Sequence, residues 1–182
     1  MIFIKNPLNG SYTIELSPSG DSRGWFARTF CKELFEKEIG HTKEWVQMNH
    51  SFTTTKGSVR GMHYQLPPHQ EIKLVRCIAG AVFDVIVDLR KNSDTFLQWF
   101  GLELSASNKK MMYIPEGFAH GFQTLTGGAE LVYNHSAIYT PRFEAGILFN
   151  DTTINIQWPL PVTEISQRDS GHAGIDSNFK AL

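Results

Sequence analysis

Short runs of strand-forming residues, separated by Gly, Pro, Asn and Asp, follow one another through most of the sequence. Val, Ile, Tyr, Phe and Thr are frequent in segments such as GSVRGMHYQ, AVFDVIVDLR and FLQWFGLELS. In AVFDVIVDLR, strand alternation places an apolar face opposite a face that carries Asp84 and Asp88. This pattern predicts an all-β chain, an antiparallel β-barrel or jelly roll whose interior is partly polar and reachable by solvent.

Helices are expected to be few and short. CKELFEKEIG is the clearest candidate, because Leu34, Phe35 and Ile39 form an apolar stripe and Gly40 follows as a C-terminal cap. From about residue 140 onward the chain is rich in turn-forming residues, which predicts an arm laid over the barrel. The 182 residues, 41% of them hydrophobic, fit one domain over residues 1–182.

Charge and composition exclude several classes of partner. Seventeen basic residues against eighteen acidic ones leave a formal charge of −1, so we expect no nucleic-acid partner. No apolar run approaches the roughly 20 residues of a spanning helix, and MIFIKNPLNG does not resemble a signal peptide. Cys31 and Cys77 lack the spacing of a metal site or a disulfide framework. We therefore expect a cytoplasmic protein with no membrane partner.

Titratable residues interrupt two apolar strands in SVRGMHYQLPPHQEIKLVRCIAG, residues 58–80. Arg60, His63 and Lys73 would be costly to bury there without partners. Strand alternation predicts that Arg60 and His63 point to opposite faces. With Asp84 and His120 on neighbouring predicted strands, several such groups facing one cavity would favour acid–base chemistry.

The segment IPEGFAHGF, residues 114–122, resembles the second half of the cupin metal-binding signature. The first half of that signature requires two histidines one residue apart, and here the second position is Gln65. Replacing one ligand by an amide weakens a metal site. We therefore expect neither a metal nor another cofactor.

A longer series of segments carries a more specific resemblance. They occur in the order DSRGWF, QMNHS, GSVRGMHYQ, KLVRCIAGAVFDVIVDLR, YIPEGFAHGF, AELVYN, YTPRFEAGILFND, WP and ISQRD. Together they resemble the dTDP-4-dehydrorhamnose 3,5-epimerase family of metal-free cupins over nearly the whole chain. The resemblance implies a cupin-type barrel, a homodimer and an epimerase of nucleotide-diphosphate-linked 4-keto-6-deoxy sugars. It also implies a place in deoxysugar and surface-polysaccharide biosynthesis, such as that of rhamnose, lipopolysaccharide and O antigen.

The family resemblance also assigns catalytic roles. His63 corresponds to the base that inverts C3, C5 or both through an enolate, Tyr133 to the opposing acid, and Lys73 to the cation beside the developing oxyanion. Asp169 matches the carboxylate that pairs with the histidine, and Asp84 is expected to be a counter-ion for Lys73.

Substrate-binding residues follow from the same resemblance. The residues matched to the diphosphate are Arg23, Arg60, His120 and Arg168. Gln47 and Asn49 alternate on one strand with Ser51 and could bind the sugar or the base through hydrogen bonds.

Some positions depart from the family pattern: Arg28 for a glutamate near the base, Glu71 for a glutamine, Asn134 for a lysine and Ile138 for an aromatic residue. Arginine replaces acceptors by donors, so Arg28 would favour a base that presents acceptors. The sequence therefore leaves three substrate classes open: thymidine, cytidine and guanosine diphosphate sugars. It also leaves open whether one carbon or two are inverted.

Two other functions stay open on the sequence. One is a metal-dependent cupin enzyme using His63, Glu71 and His120 as ligands, against which Gln65 and the ammonium of Lys73 argue. The other is a non-catalytic nucleotide-sugar binder, against which the retained base and acid argue.

Overall fold

The computed structural model describes residues 1–40 and 43–182, and strands dominate it. The strands are β1 (Ile2–Lys5), β2 (Tyr12–Glu15), β3 (Ser19–Asp21), β4 (Gly24–Phe26), β5 (Gln47–Thr53), β6 (Ser58–Gln65), β7 (Lys73–Ala79), β8 (Ala81–Asp88), β9 (Trp99–Ser105), β10 (Lys110–Ile114), β11 (Phe118–Thr124), β12 (Ala129–His135), β13 (Glu144–Gly146) and β14 (Glu164–Ile165). The helical elements are α1 (Lys32–Ile39), α2 (Gln167–Ser170) and a 3₁₀ turn at Pro141–Phe143.

Two sheets face each other and make the body of the fold. The first has the strand order β1-β2-β10-β7-β12-β5, and the second has the order β13-β6-β11-β8-β9, with β14 added beside β6. The neighbours within each sheet are antiparallel, apart from the parallel pair of β14 and β6. The predicted all-β, antiparallel jelly roll with few short helices is confirmed.

The main core lies between the sheets. Val75 and Leu131 of the first sheet pack there against Val82, Ile86 and other apolar residues of the second. Burying each such side chain contributes about 1.5–3 kcal/mol. Strand β8 belongs to two cores, because its alternate residues point out of the other face of the sheet into a second apolar cluster.

Both outer faces of the sandwich are covered. Phe35 of α1 is fully buried on the first sheet, and Gly40 ends that helix in the left-handed region with φ +86°, as predicted. Ile147, Ile154 and later residues cover the outer face of the second sheet. The arm predicted after residue 140 therefore packs on the sandwich, and it delivers α2 beside β6.

Strand β6 departs from simple alternation. Its pairing with β11 joins His63 to His120 but Arg60 to Phe122, so β6 contains one extra residue between these pairs. Gly61 occupies this irregular stretch at φ +127°, where a Cβ atom would lie 2.5 Å from the Cα of Gly121. The extra residue brings Arg60 and His63 to the same cavity, so the prediction that they face opposite sides was wrong.

Strands β3 and β4 form a hairpin outside both sheets, and it exposes Trp25 and Phe26. Strand β5, at the edge of the first sheet, exposes Met48 and Phe52. Within residues 1–40 and 43–182, no helix has both the length and the apolar character needed to cross a membrane.

Candidate active site

A cavity of about 910 Å³ opens between the sheets and extends to the arm. Of the residues predicted for the site, eight line it: Asn49, Arg60, His63, Lys73, His120, Tyr133, Arg168 and Asp169. The two sheets and α2 therefore bring together residues that are more than 100 positions apart in the sequence, such as His63 and Asp169.

His63 and Asp169 form a hydrogen-bonded pair at the cavity wall. Ser166 caps α2 by accepting the backbone N–H of Asp169, and this turn directs the aspartate at β6. Asp169 Oδ1 lies 2.9 Å from His63 Nε2, and Oδ2 accepts the backbone N–H of Gly61 at 3.0 Å. The pairing predicted for these two residues is thus present in the structure.

The electrostatics of this pair favour an ionised Asp169. Burial raises the pKa of Asp169, but hydrogen bonds from His63 and from the backbone of Gly61 outweigh it and hold that pKa well below its usual range. Arg168 adds a donor to the carboxylate at 3.2 Å. Because Asp169 only accepts, His63 Nε2 carries the proton in this pair, and in the neutral ring it is Nδ1 that holds the lone pair a base needs.

Tyr133 enters the cavity from the opposite sheet. It lies on β12, its hydroxyl is 2.9 Å from Ser51 Oγ on β5, and its ring is 6.2 Å from that of His120. Burial is the main cause that raises the pKa of Tyr133 above its ordinary value, although the hydrogen bond with Ser51 acts against it. The phenol therefore keeps its proton at neutral pH and can donate it.

Asp84 has a different partner from the one predicted. It is fully buried and its Oδ1 lies 2.7 Å from His120 Nε2, so it orients His120 instead of neutralising Lys73. The two are paired because β8 and β11 are adjacent strands in the second sheet, whereas Lys73 lies in the first. Asp84 stands behind His120 and does not line the cavity.

The counter-ion of Lys73 is Glu71, two residues earlier in the chain. Lys73 Nζ lies 3.2 Å from Glu71 Oε1, and the other oxygen of Glu71 lies 2.7 Å from His135 Nδ1. Burial raises the pKa of Glu71, but His135 and Lys73 outweigh that effect and lower it overall. Glu71, one of the positions that depart from the family pattern, is thus the counter-ion of Lys73 in place of the predicted Asp84.

The predicted diphosphate residues divide into two groups. Arg60 and Arg168 line the cavity together with His120, and Arg60 is held by Thr53 Oγ1 at 3.0 Å. Arg23 is exposed and pairs with Asp21 in the separate hairpin. Arg28 follows that hairpin and is also exposed, so neither arginine lines the cavity of its own chain.

Gln47 and Asn49 are joined to each other instead of pointing freely at a ligand. Gln47 Nε2 donates to Asn49 Oδ1 at 3.1 Å, and Gln47 Oε1 accepts the backbone N–H of Tyr139 at 3.0 Å. Asn49 lines the cavity, whereas Gln47 lies at its margin. Both are exposed enough at this edge strand for a ligand to compete with these bonds.

Several site residues were missed on the sequence: Glu144, Tyr139, His135 and His172. Glu144 binds Arg168 at 3.1 Å and accepts from the Tyr139 hydroxyl at 2.7 Å. His172 packs edge-on against His63 with ring centroids 5.7 Å apart. Burial, followed by the nearby His63, lowers the pKa of His172. Tyr139, Glu144 and His172 lie in the turn-rich part of the chain after β12, where no periodic pattern points to a cavity. His135 ends β12 two residues after Tyr133, so strand alternation could have placed it in the same cavity.

The ligand set of a metal-dependent cupin is not assembled. Within the described part of the chain, a group of three close metal-binding side chains is formed by His63, Asp169 and His172, and not by His63 with Glu71 and His120. Arg168 contacts both His63 and Asp169, which places a cation where an ion would sit. Both ends of the Gln65 amide are already used, because its Nε2 donates to the backbone oxygen of His69 and its Oε1 accepts the backbone N–H of Thr140.

The geometry suits proton transfer on two sides of one ligand. A histidine with an ionised partner lies on one sheet, a neutral phenol on the other, and an ammonium beside them. Such groups can remove a proton, return one from the opposite side and stabilise the negative charge that appears between these steps.

Comparison with known proteins gives a consistent result. The sequence profile of the dTDP-4-dehydrorhamnose 3,5-epimerase family matches residues 5–177. A relative of that name from Shigella flexneri is 46% identical over 180 residues, covering 98% of this chain and 99% of the relative. The crystal structure of dTDP-4-dehydrorhamnose 3,5-epimerase from Elizabethkingia anophelis has a TM-score of 0.94 at 38% identity and covers 98% of this chain and 99% of that one.

A further solved structure contains a sugar nucleotide. It is dTDP-6-deoxy-D-glucose-3,5-epimerase from Legionella pneumophila in complex with dTDP-4-keto-L-rhamnose, with a TM-score of 0.90 at 39% identity over 95% of this chain and 92% of that one. The cupin-type fold inferred from the sequence is confirmed, and neither alternative function gains support. The chain belongs to the dTDP-4-dehydrorhamnose 3,5-epimerase family and is an isomerase.

Proposed function

We propose that this enzyme inverts C3 and C5 of a dTDP-linked 4-keto-6-deoxy sugar. The observation that carries the proposal is the placement of His63, bound to Asp169, and of Tyr133 on facing sheets of one cavity. Inversion needs a base on one face of the sugar ring and a proton donor on the other. The thymidine nucleotide is supported by the substrates named for the relatives.

The proposed mechanism starts at the C4 ketone, which acidifies the neighbouring C–H bonds. His63 removes the proton from C3 or C5, and Asp169 stabilises the imidazolium that forms. The electron pair moves onto the ketone oxygen to give an enolate, whose charge the Lys73 ammonium stabilises. Tyr133 then delivers its proton from the other face. The imidazolium of His63 releases its proton to water and Tyr133 takes one up from water, which restores both groups. The sugar gains one proton for each proton lost, so no cofactor is required.

The diphosphate is placed at the cationic side of the cavity. Arg60 and Arg168 offer planar donors that match phosphate oxygens, and His120 adds a third group. Arg168 is bound to Glu144 and Asp169 in the free protein, so a phosphate would compete with the exposed part of that contact. Arg60, Arg168 and His120 are therefore the proposed diphosphate-binding residues. We also propose that residues 1–182 form one domain.

We also propose a homodimer. Trp25 and Phe26 on the hairpin and Met48 and Phe52 on β5 are large apolar residues left exposed in one chain. A second copy that adds to the β5 edge would cover Met48 and Phe52, since exposed edge strands are generally protected, and the separate hairpin offers Trp25 and Phe26 as a further apolar contact. Light scattering should give twice the chain mass at micromolar concentration, and a monomer there would contradict this arrangement.

The biological setting is proposed on the family relationship. Named relatives act on rhamnose precursors, which suits the supply of deoxysugars to surface polysaccharides such as lipopolysaccharide O antigen. A cytoplasmic location fits the two cysteines, both free thiols.

Product analysis tests the proposed function. The enzyme would be incubated with dTDP-, CDP- and GDP-linked 4-keto-6-deoxyglucose, with the His63→Ala variant as control, and the products identified by NMR coupling constants. We expect inversion at both carbons with the dTDP sugar and none with the variant. Activity should survive exhaustive chelation, because Lys73 supplies the positive charge. Tight dTDP binding without turnover would instead identify a nucleotide-sugar binder.

A further inference from the structure

A continuous series of hydrogen bonds beside the cavity leads from the backbone of Tyr139 to Glu71, which also pairs with Lys73. The series starts at the backbone N–H of Tyr139, which donates to Gln47 Oε1, and Gln47 Nε2 then donates to Asn49 Oδ1. Asn49 Nδ2 lies 3.3 Å from His135 Nε2, and His135 Nδ1 lies 2.7 Å from Glu71 Oε2. The other oxygen of Glu71, Oε1, lies 3.2 Å from Lys73 Nζ, which is the last group in the series.

The direction of every link in this series is fixed by its ends. A backbone N–H can only donate, which sets the orientation of the Gln47 amide and therefore that of Asn49. A carboxylate can only accept, so His135 must carry its proton on Nδ1, toward Glu71. Both ends give the same answer for His135: a neutral ring with a proton on Nδ1 and a lone pair on Nε2.

The hydrogen bonds of Glu71 are largely shielded from solvent. The side chains of Glu71, Lys73 and His135 are each about a tenth exposed or less, so water competes weakly with their bonds. Burial also opposes the charge on Glu71, but His135 and Lys73 lower its pKa overall, and the carboxylate stays ionised. The Lys73 ammonium is also 3.5 Å from the backbone oxygen of His63, the residue proposed as base.

We infer that Glu71 is a positioning residue: it holds the Lys73 ammonium in place beside the substrate and fixes the tautomer of His135. This role rests on the proposed epimerase function, in which Lys73 stabilises the enolate. Glu71 touches no substrate atom in this scheme. It acts through Lys73, and through His135 it links Lys73 to Asn49 at the binding edge.

A glutamine cannot replace Glu71 without breaking the series. If the amide nitrogen faced Lys73, two donors would oppose each other. If it faced His135, the ring would have to move its proton to Nε2, where it would oppose the donor of Asn49. Either arrangement leaves a buried group unpaired, although Glu71→Gln changes the shape of the side chain very little.

The first test compares Glu71→Gln with Glu130→Gln in steady-state kinetics. Glu130 pairs with His50 at 2.7 Å and does not itself line the cavity; His50 does, but it has no role in the proposed reaction, so Glu130→Gln is a more exposed carboxylate–imidazole control. Loss of an oxyanion donor costs about 10²–10³-fold in kcat, and displacing one should cost about tenfold or more. We expect that fall in kcat with little change in KM for Glu71→Gln, and wild-type values for Glu130→Gln.

The second test needs no substrate. Nitrogen NMR of ¹⁵N-histidine-labelled protein, with His135 assigned through a His135→Gln variant, should show a proton on Nδ1 in the wild type and a changed pattern in Glu71→Gln. A wild-type His135 protonated on Nε2 alone would overturn the inference. So would a Glu71→Gln enzyme with kcat within twofold of wild type, or one altered only in KM. A wild-type protein inactive on the sugar would refute the proposed function and leave the NMR test intact.

Discussion

Replacing Asp169 by asparagine keeps the size of the side chain and removes its capacity to accept at both ends. Asp169 accepts from the backbone N–H of Gly61 and from His63 at the same time. Because the N–H of Gly61 can only donate, the oxygen of an asparagine must face Gly61 and its NH₂ must face His63. His63 would then accept on Nε2 and carry its proton on Nδ1, the atom left to act as base.

The size of the effect follows from this exchange of tautomers. The Asp169→Asn variant loses both the correct tautomer and the charge that stabilises the imidazolium. In a serine protease the equivalent change lowers kcat about 10⁴-fold. At about 1.36 kcal/mol for each factor of ten, a loss of that size raises the barrier by about 5.4 kcal/mol.

The assay is the rate of inversion at saturating sugar nucleotide, with thermal unfolding measured alongside. Asp151→Asn provides the matched control, because Asp151 is buried and also accepts backbone N–H bonds, from Thr153, Ile154 and Ile175, but does not line the cavity. It should lower stability while the folded enzyme keeps its kcat. An Asp169→Asn enzyme within tenfold of wild-type activity would refute the proposed role of the His63–Asp169 pair.

Three further predictions concern other parts of the site. Tyr133→Phe should exchange solvent deuterium into the sugar faster than it inverts, because His63 can return a proton to the same face; NMR showing both rates lost together would contradict this. Arg28 lies outside the cavity of its own chain and can select the base only across the proposed dimer, in which case Arg28→Glu should increase the preference for dTDP over CDP and GDP in calorimetry; if the wild type already binds dTDP tenfold tighter, about 1.4 kcal/mol, Arg28 does not select the base. The lowered pKa of Asp169 means that its ionised form stabilises the fold above about pH 4 and that this contribution is lost as pH falls through the folded-state pKa. Urea unfolding at pH 7 and pH 3 should therefore show a smaller loss of stability for Asp169→Asn than for wild type.

The fold was predictable because strand signals in this sequence are local. Alternation in β8 correctly separated Val82 and Ile86 from Val85 and Val87, which pack in different cores. Alternation failed at β6, because the extra residue beside Gly61 becomes visible only when the pairing with β11 is known.

The sequence predicted which residues line the cavity better than it predicted which of them pair with each other. His63, Lys73 and Tyr133 were placed in the cavity correctly on family resemblance. Asp84 was assigned to Lys73 because both are buried and opposite in charge, yet sheet membership decides which charges meet. Contacts made by the turn-rich arm, such as that of His172 with His63, depend on tertiary packing and leave no periodic trace in the sequence.

Solvent deuterium uptake tests the two-sided mechanism most directly. Wild-type enzyme and dTDP-4-keto-6-deoxyglucose would be mixed in D₂O, and the C3 and C5 proton signals of the sugar followed by NMR as each centre inverts. The mechanism predicts one deuterium at each inverted carbon, because Tyr133 delivers a proton that has exchanged with water. Label at both C3 and C5 supports the double inversion, and label at C3 alone would identify a 3-epimerase. Inversion of either carbon without deuterium would contradict proton removal by His63 and return by Tyr133.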